Sequence, residues 1–158
     1  MDARGHAQNP APVLHGGLDL AEWAARLCVA AVLIVNLECA FSFVAQPQRY
    51  VGGFELAGVS GAVAVRGLGI AFLMWNATYP LVIWRPRRYG TLFAVVLAQQ
   101  AIGLVGETWL LMTLPAGHAA LASSITRFIV FDGAGLVLMA AAFTALLRTA
   151  RRQTEERP

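Results

Sequence analysis

The chain has 158 residues, of which 58% are hydrophobic and only 13% charged, with a mean hydropathy of +0.60. A soluble domain carries about a quarter of its residues as charges, so this composition excludes one and fits a single membrane-embedded domain in contact with the lipid bilayer. The formal charge of +3 comes from twelve arginines and no lysine. They cluster at the ends of apolar stretches, as membrane topology requires, and no basic face interleaved with aromatics points to nucleic acid.

Residues 1–20 hold proline and glycine breakers and no helical period, which predicts a disordered cytoplasmic tail. The stretch lacks a basic segment running straight into an apolar core, so it does not read as a cleaved secretory signal. His6 and His15 lie here without carboxylate or thiol neighbours and read as solvated residues, not metal ligands.

A first spanning helix is expected over residues 23–45, with Asp19 as its cap and Trp23 at the interface. It carries Asn36 and Glu38, and an ionisable group at such depth usually needs a protein partner. Cys28 and Cys39 stand eleven residues apart on this helix, about 16 Å, which is too far for a disulfide. Both read as small apolar fillers, and with no CxxC motif thioredoxin-like thiol chemistry falls away.

In residues 46–65, Pro47, the Gly52-Gly53 pair, Gly58 and Gly61 break any long element. The segment is expected to be interfacial or re-entrant, with Tyr50, Phe54 and Glu55 forming an outer lid beside Arg49. The second helix is expected over 64–84, opening near Arg66, carrying Asn76 at mid-span and kinked at Pro80. A third helix, 91–113, presents Gln99, Gly103 and Glu107 at helical spacing, with Gln100 on the same side. After a turn capped by Ser123 or Ser124, in which His118 reads as a lone solvated residue, a fourth helix runs over 125–147. Residues 148–158 complete the chain as a basic tail. The architecture expected over 21–147 is therefore an all-α integral membrane four-helix bundle.

Arginines fix the expected orientation. Arg85, Arg87 and Arg88 lie in the turn after the second helix, and Arg148, Arg151, Arg152 and Arg157 lie in the tail. The positive-inside bias then places both termini in the cytoplasm and residues 46–65 and 114–124 outside, in a bacterial inner membrane. At 1.5 Å per residue, Glu38 and Asp132 fall about 6 Å outward of mid-span, Glu107 about 8 Å, and Arg66 and Arg127 about 13 Å. Three acids from three helices would thus share a layer beneath two arginines. Facing inward, the five would nearly neutralise one another, beside Gln100, Asn76, Trp75 and Tyr79. Such a layer suits a ligand pocket; it equally suits a polar lock that fixes helix register and does no chemistry.

The stretch FELAGVSGAVAVRGLGIAFL, following a glutamate-bearing first helix, resembles the DoxX-like superfamily of small four-helix membrane proteins. The resemblance spans residues 23–147 and implies a membrane subunit or accessory factor, in some members linked to quinone or sulfur redox chemistry. It transfers no catalytic residue, and MWNATYP, GET and RFIVFDG depart from its pattern. Four readings follow. The first is a pocket for a quinone, lipid head group or other small ligand in membrane redox or envelope physiology. The second is a non-catalytic assembly subunit with a membrane-protein partner or a second copy. The third is transport, for which four helices are few. A stand-alone enzyme is the least supported, since no nucleophile set, metal set or nucleotide loop appears.

Overall fold

The computed structural model describes residues 16–155, so the expectations for His6, His15 and the rest of residues 1–15 lie outside the described residues. The fold is an all-α membrane bundle of four spans. Helix α1 is Gly16–Ala45, followed by two 3-10 turns at Pro47–Arg49 and Val51–Phe54. Then come α2 (Gly58–Asn76), α3 (Tyr79–Trp84), α4 (Gly90–Thr113) and α5 (Ala119–Glu155). Helices α2 and α3 together form the second span, Gly58–Trp84, broken at residues 77–78. Pro80 causes the break, because it offers no N–H and its ring crowds the preceding turn.

Helix ends differ from the sequence expectations. α1 starts at Gly16, so Asp19 stands inside its first turn and not at its cap. An ion pair one turn apart, Arg26 to Glu22 at 2.6 Å, supports these opening turns. Irregular backbone between the first two spans is confined to residues 46–57, and α2 begins at Gly58, whose φ of +65° lets the chain turn into the helix from the extended Ala57. Ser123 and Ser124 lie within α5, which opens at Ala119. At its other end α5 continues to Glu155, as no glycine or proline interrupts residues 148–155.

Helix α1 is the hub and packs on α2, α3 and α5, while α4 packs on α5 and α3. α2 leans on α1 and on the two 3-10 turns, and the second span reaches α4 mainly through the short α3. Close approach of α1 and α2 depends on Gly69, where a Cβ would fall 2.8 Å from the Ala40 carbonyl oxygen and 2.9 Å from Phe43 Cβ.

This layout makes the two ends of the bundle unlike. Toward the Arg85–Tyr89 turn the spans close on a dry core that includes Val29, Val32, Tyr79, Phe93, Val96 and Met139. Arg87 clamps that end, reaching Glu22 of α1 at 3.3 Å and Thr149 of α5 at 3.2 Å. Toward residues 46–57, α2 stands away from α4 and α5, and the space between them is hollow. Large apolar side chains such as Met74, Ile102 and Val137 remain about 70% exposed, which a bilayer covers and water would not.

Candidate functional site

The hollow end holds a cavity of about 490 Å³. That lies within the range of roughly 300–1,000 Å³ typical of small-molecule sites. Its walls come from α1, α2, α4 and α5, and the two 3-10 turns roof it. The lining falls into three tiers.

The floor is polar. Asn36 Nδ2 of α1 donates to Asn76 Oδ1 at 2.9 Å, and Asn76 Nδ2 donates onward to the Phe72 backbone carbonyl at 2.8 Å. Beneath the floor, the Tyr79 hydroxyl donates to Gln100 Oε1 at 3.2 Å, and Gln100 Nε2 donates to Asp132 Oδ1 at 2.8 Å. Gln100 also reaches the Asp132 backbone carbonyl at 3.4 Å; it is 2% exposed and cannot seek water, so these bonds matter to the fold. Two glycines make room for this chain of bonds. A Cβ at Gly103 would stand 2.9 Å from Asp132 Oδ2, and one at Gly135 would stand 3.2 Å from Gln100 Nε2. Glu107 lies one turn beyond Gly103 on α4, and its Oε2 is buried with no hydrogen-bond partner.

The waist is aromatic. Phe43 is its centre, with ring centroids 5.7 Å from Phe54, 6.1 Å from Phe72 and 6.3 Å from Phe128. Trp75 and Phe131 continue the wall down to the carboxylates. These rings come from α1, α2, α5 and the lid, so the waist forms only when all four elements assemble.

The mouth is basic, lined by Arg49 and Arg127. Arg127 donates to Ser124 Oγ at 3.2 Å, and Ser124 in turn donates to the Gly53 carbonyl oxygen at 2.7 Å, which pins the lid to α5. A second fastening is Glu55. Its Oε2 meets His118 Nδ1 at 2.5 Å and its Oε1 accepts from the Leu121 N–H at 3.2 Å. Glu55 sits in the left-handed region at φ +53°, a conformation that favours glycine and that these bonds help to hold. The hydrogen bond from His118, followed by that from the Leu121 backbone, holds the Glu55 carboxyl below the usual glutamate range.

The structure brings together part of the site expected from sequence. Trp75, Asn76, Gln100, Glu107, Arg127 and Asp132 line one cavity, with Tyr50 and Phe54 over them. Tyr79 lies under the floor in the core and supports Gln100. Glu55 fastens the lid without lining the cavity.

The five-charge layer does not form. Glu38 and Arg66 are both exposed on the outside of the bundle. Asn36 faces inward, and two residues along an α-helix turn a side chain by about 200°, so Glu38 points nearly the opposite way. Arg66 lies on the outer flank of α2 and donates to the Val44 carbonyl near the end of α1, at 3.2 Å. Among the described residues no ion pair joins Glu107 or Asp132 to an arginine. His118 is likewise not the solitary solvated residue expected; Glu55, remote in sequence, is its partner. Sequence reasoning also missed Cys39, Phe43, Phe72 and Phe131 as cavity walls. Only the period of Asn36, Cys39 and Phe43 on one face of α1 signals part of that wall.

Compared with known proteins, this chain matches no family model, no curated protein and no solved structure.

Proposed function

We propose that this small multi-pass membrane protein is of DoxX-like type and binds a small amphiphilic ligand in its cavity. A quinone or a lipid head group fits the reading, as an accessory to membrane redox or envelope physiology. In this proposal the protein lies in a bacterial inner membrane with both termini cytoplasmic, so the lid faces outward. One observation carries the reading: an aromatic-waisted cavity of about 490 Å³, with hydrogen-bonding groups beneath and a fastened lid above. A bundle that needed polar groups only to set its register would gain nothing by keeping this space open.

The test is native mass spectrometry of the chain released from its membrane, together with binding of quinone and lipid probes in nanodiscs. The wild-type chain is expected to retain or bind a small molecule. Gly103→Leu, which would place a side chain in the floor, is expected to lose it. Failure of every probe to bind the wild-type chain would refute the proposal.

A second reading, an assembly subunit, is favoured by Glu38. This acid is exposed within its span and has no hydrogen bond or ion pair among the described residues. An acid facing hydrocarbon is costly, and a cationic residue of a partner chain or second copy would relieve it. Glu38→Gln would then weaken an association seen by cross-linking in the membrane, while leaving the cavity's ligand affinity unchanged.

A further inference from the structure

We infer that the cavity selects a ligand carrying a positively charged, hydrogen-bond-donating head on an apolar body, an ammonium ion in the simplest case. The inference rests on the cavity reading above and names the ligand class. It starts from a count of what the floor lacks. Gln100, Asn76 and Tyr79 already spend donors on Asp132, the Phe72 carbonyl and Gln100. Two acids keep acceptors without a partner: the Glu107 carboxyl, whose Oε2 is buried and unpartnered, and Asp132 Oδ2, lying against Gly103.

Acids in surroundings this apolar either keep their protons or meet a cation. The chain's own cations do not serve. Arg66 is outside the bundle, and Arg49 and Arg127, which line the mouth, form no ion pair with either acid among the described residues. A cationic head is therefore the complement that the floor lacks. A separate observation agrees. The wall above the carboxylates consists of rings, with Trp75, Phe72, Phe128 and Phe131 between floor and mouth. Ring faces attract a cation and accept an apolar body, and an aromatic wall closed by carboxylates suits an organic ammonium.

The experiment uses the full chain in nanodiscs and three probes of similar shape: phenethylammonium, phenethyl alcohol and hydrocinnamate. Binding is read by equilibrium dialysis. The ammonium is expected to bind at least about tenfold tighter than the alcohol, a difference equivalent to about 1.4 kcal/mol. Glu107→Gln and Asp132→Asn, made singly, should each shrink that preference, lowering the ammonium's affinity by a larger factor than the alcohol's. Both substitutions preserve shape. Glu107 Oε2 gives up no hydrogen bond, and an asparagine at 132 still offers an acceptor to Gln100. Equal binding of ammonium and alcohol overturns the cationic class and leaves the cavity reading standing. Preference for hydrocinnamate also overturns it, assigning selection to Arg49 and Arg127. If neither these probes nor the quinone and lipid probes bind, the cavity reading fails as well.

Discussion

Replacing Gln100 by leucine tests whether the polar chain beneath the cavity joins the spans. The leucine has nearly the same volume and can occupy the same space, so the change is electrostatic and not steric. Two groups lose their partner: the Tyr79 hydroxyl, in a side chain that is fully buried, and Asp132 Oδ1. A stranded buried polar group costs about 1–3 kcal/mol, which gives about 2–6 kcal/mol for the pair before relaxation. Interhelical hydrogen bonds in membranes average only about 0.6 kcal/mol and reach about 1.7, because the unfolded chain also finds partners. The two figures answer different questions. The single substitution measures stranding, while a double-mutant cycle with Tyr79→Phe measures the bond itself. We expect Gln100→Leu to destabilise by about 2–4 kcal/mol, and Tyr79→Phe in the same chain to recover part of it. The coupling energy should fall at about 0.6–1.7 kcal/mol. Reversible unfolding in mixed micelles gives all four corners of the cycle. A cost for Gln100→Leu below about 0.5 kcal/mol, the level of an ordinary surface change, would refute the network.

Three further outcomes are expected. Glu55→Ala removes that residue's bonds to His118 and to Leu121 of α5, so residues 46–57 should exchange amide hydrogens faster while the Arg85–Tyr89 end stays protected. Because Glu55 titrates lower in the folded protein than unfolded, its contribution is fully present above its unfolded value and fades as the pH falls through its lowered folded value. Lid exchange in wild type should therefore accelerate only below the ordinary glutamate range, and Glu55→Ala should lack that inflection. Gly69→Ala drives a methyl against the Ala40 carbonyl oxygen at 2.8 Å, backbone that cannot swing aside. It is expected to cost about 1–3 kcal/mol in unfolding measurements. Gly103→Ala meets the Asp132 carboxylate at 2.9 Å, a side chain that can shift. Its stability should fall less than that of Gly69→Ala, and the ammonium preference should weaken with the displaced carboxylate.

Much of the fold was legible because hydrocarbon imposes a single rule, that backbone groups be satisfied within each span. Span number and the break at Pro80 follow from that rule and from proline's missing donor. Relative height along each helix axis was legible too, since rise per residue is constant. Direction around the helix was not. Glu38 is expected at a depth like that of Asp132, yet only packing decides which side of α1 meets the interior, and Asn36, Cys39 and Phe43 hold that side. The fastening of Glu55 by His118 was illegible for another reason. Sixty-three residues separate them, and neither belongs to a periodic pattern that would betray its partner. Gly135 lets α5 approach Val32 of α1 closely. That Gly103 leaves room for a carboxylate, and not for another helix, depends on the lean of α2 and was not visible in the chain alone.

Because the solid core gathers at one end and the hollow at the other, the molecule resembles a cup with a heavy base. Changes near Phe93 or Met139 threaten whether the protein exists at all, whereas changes near Phe72 or Phe128 chiefly reshape the hollow. Inheritance can therefore reshape the rim and interior without endangering the base. A saturation scan scored only for abundance should grade steadily from intolerant to permissive along the membrane normal.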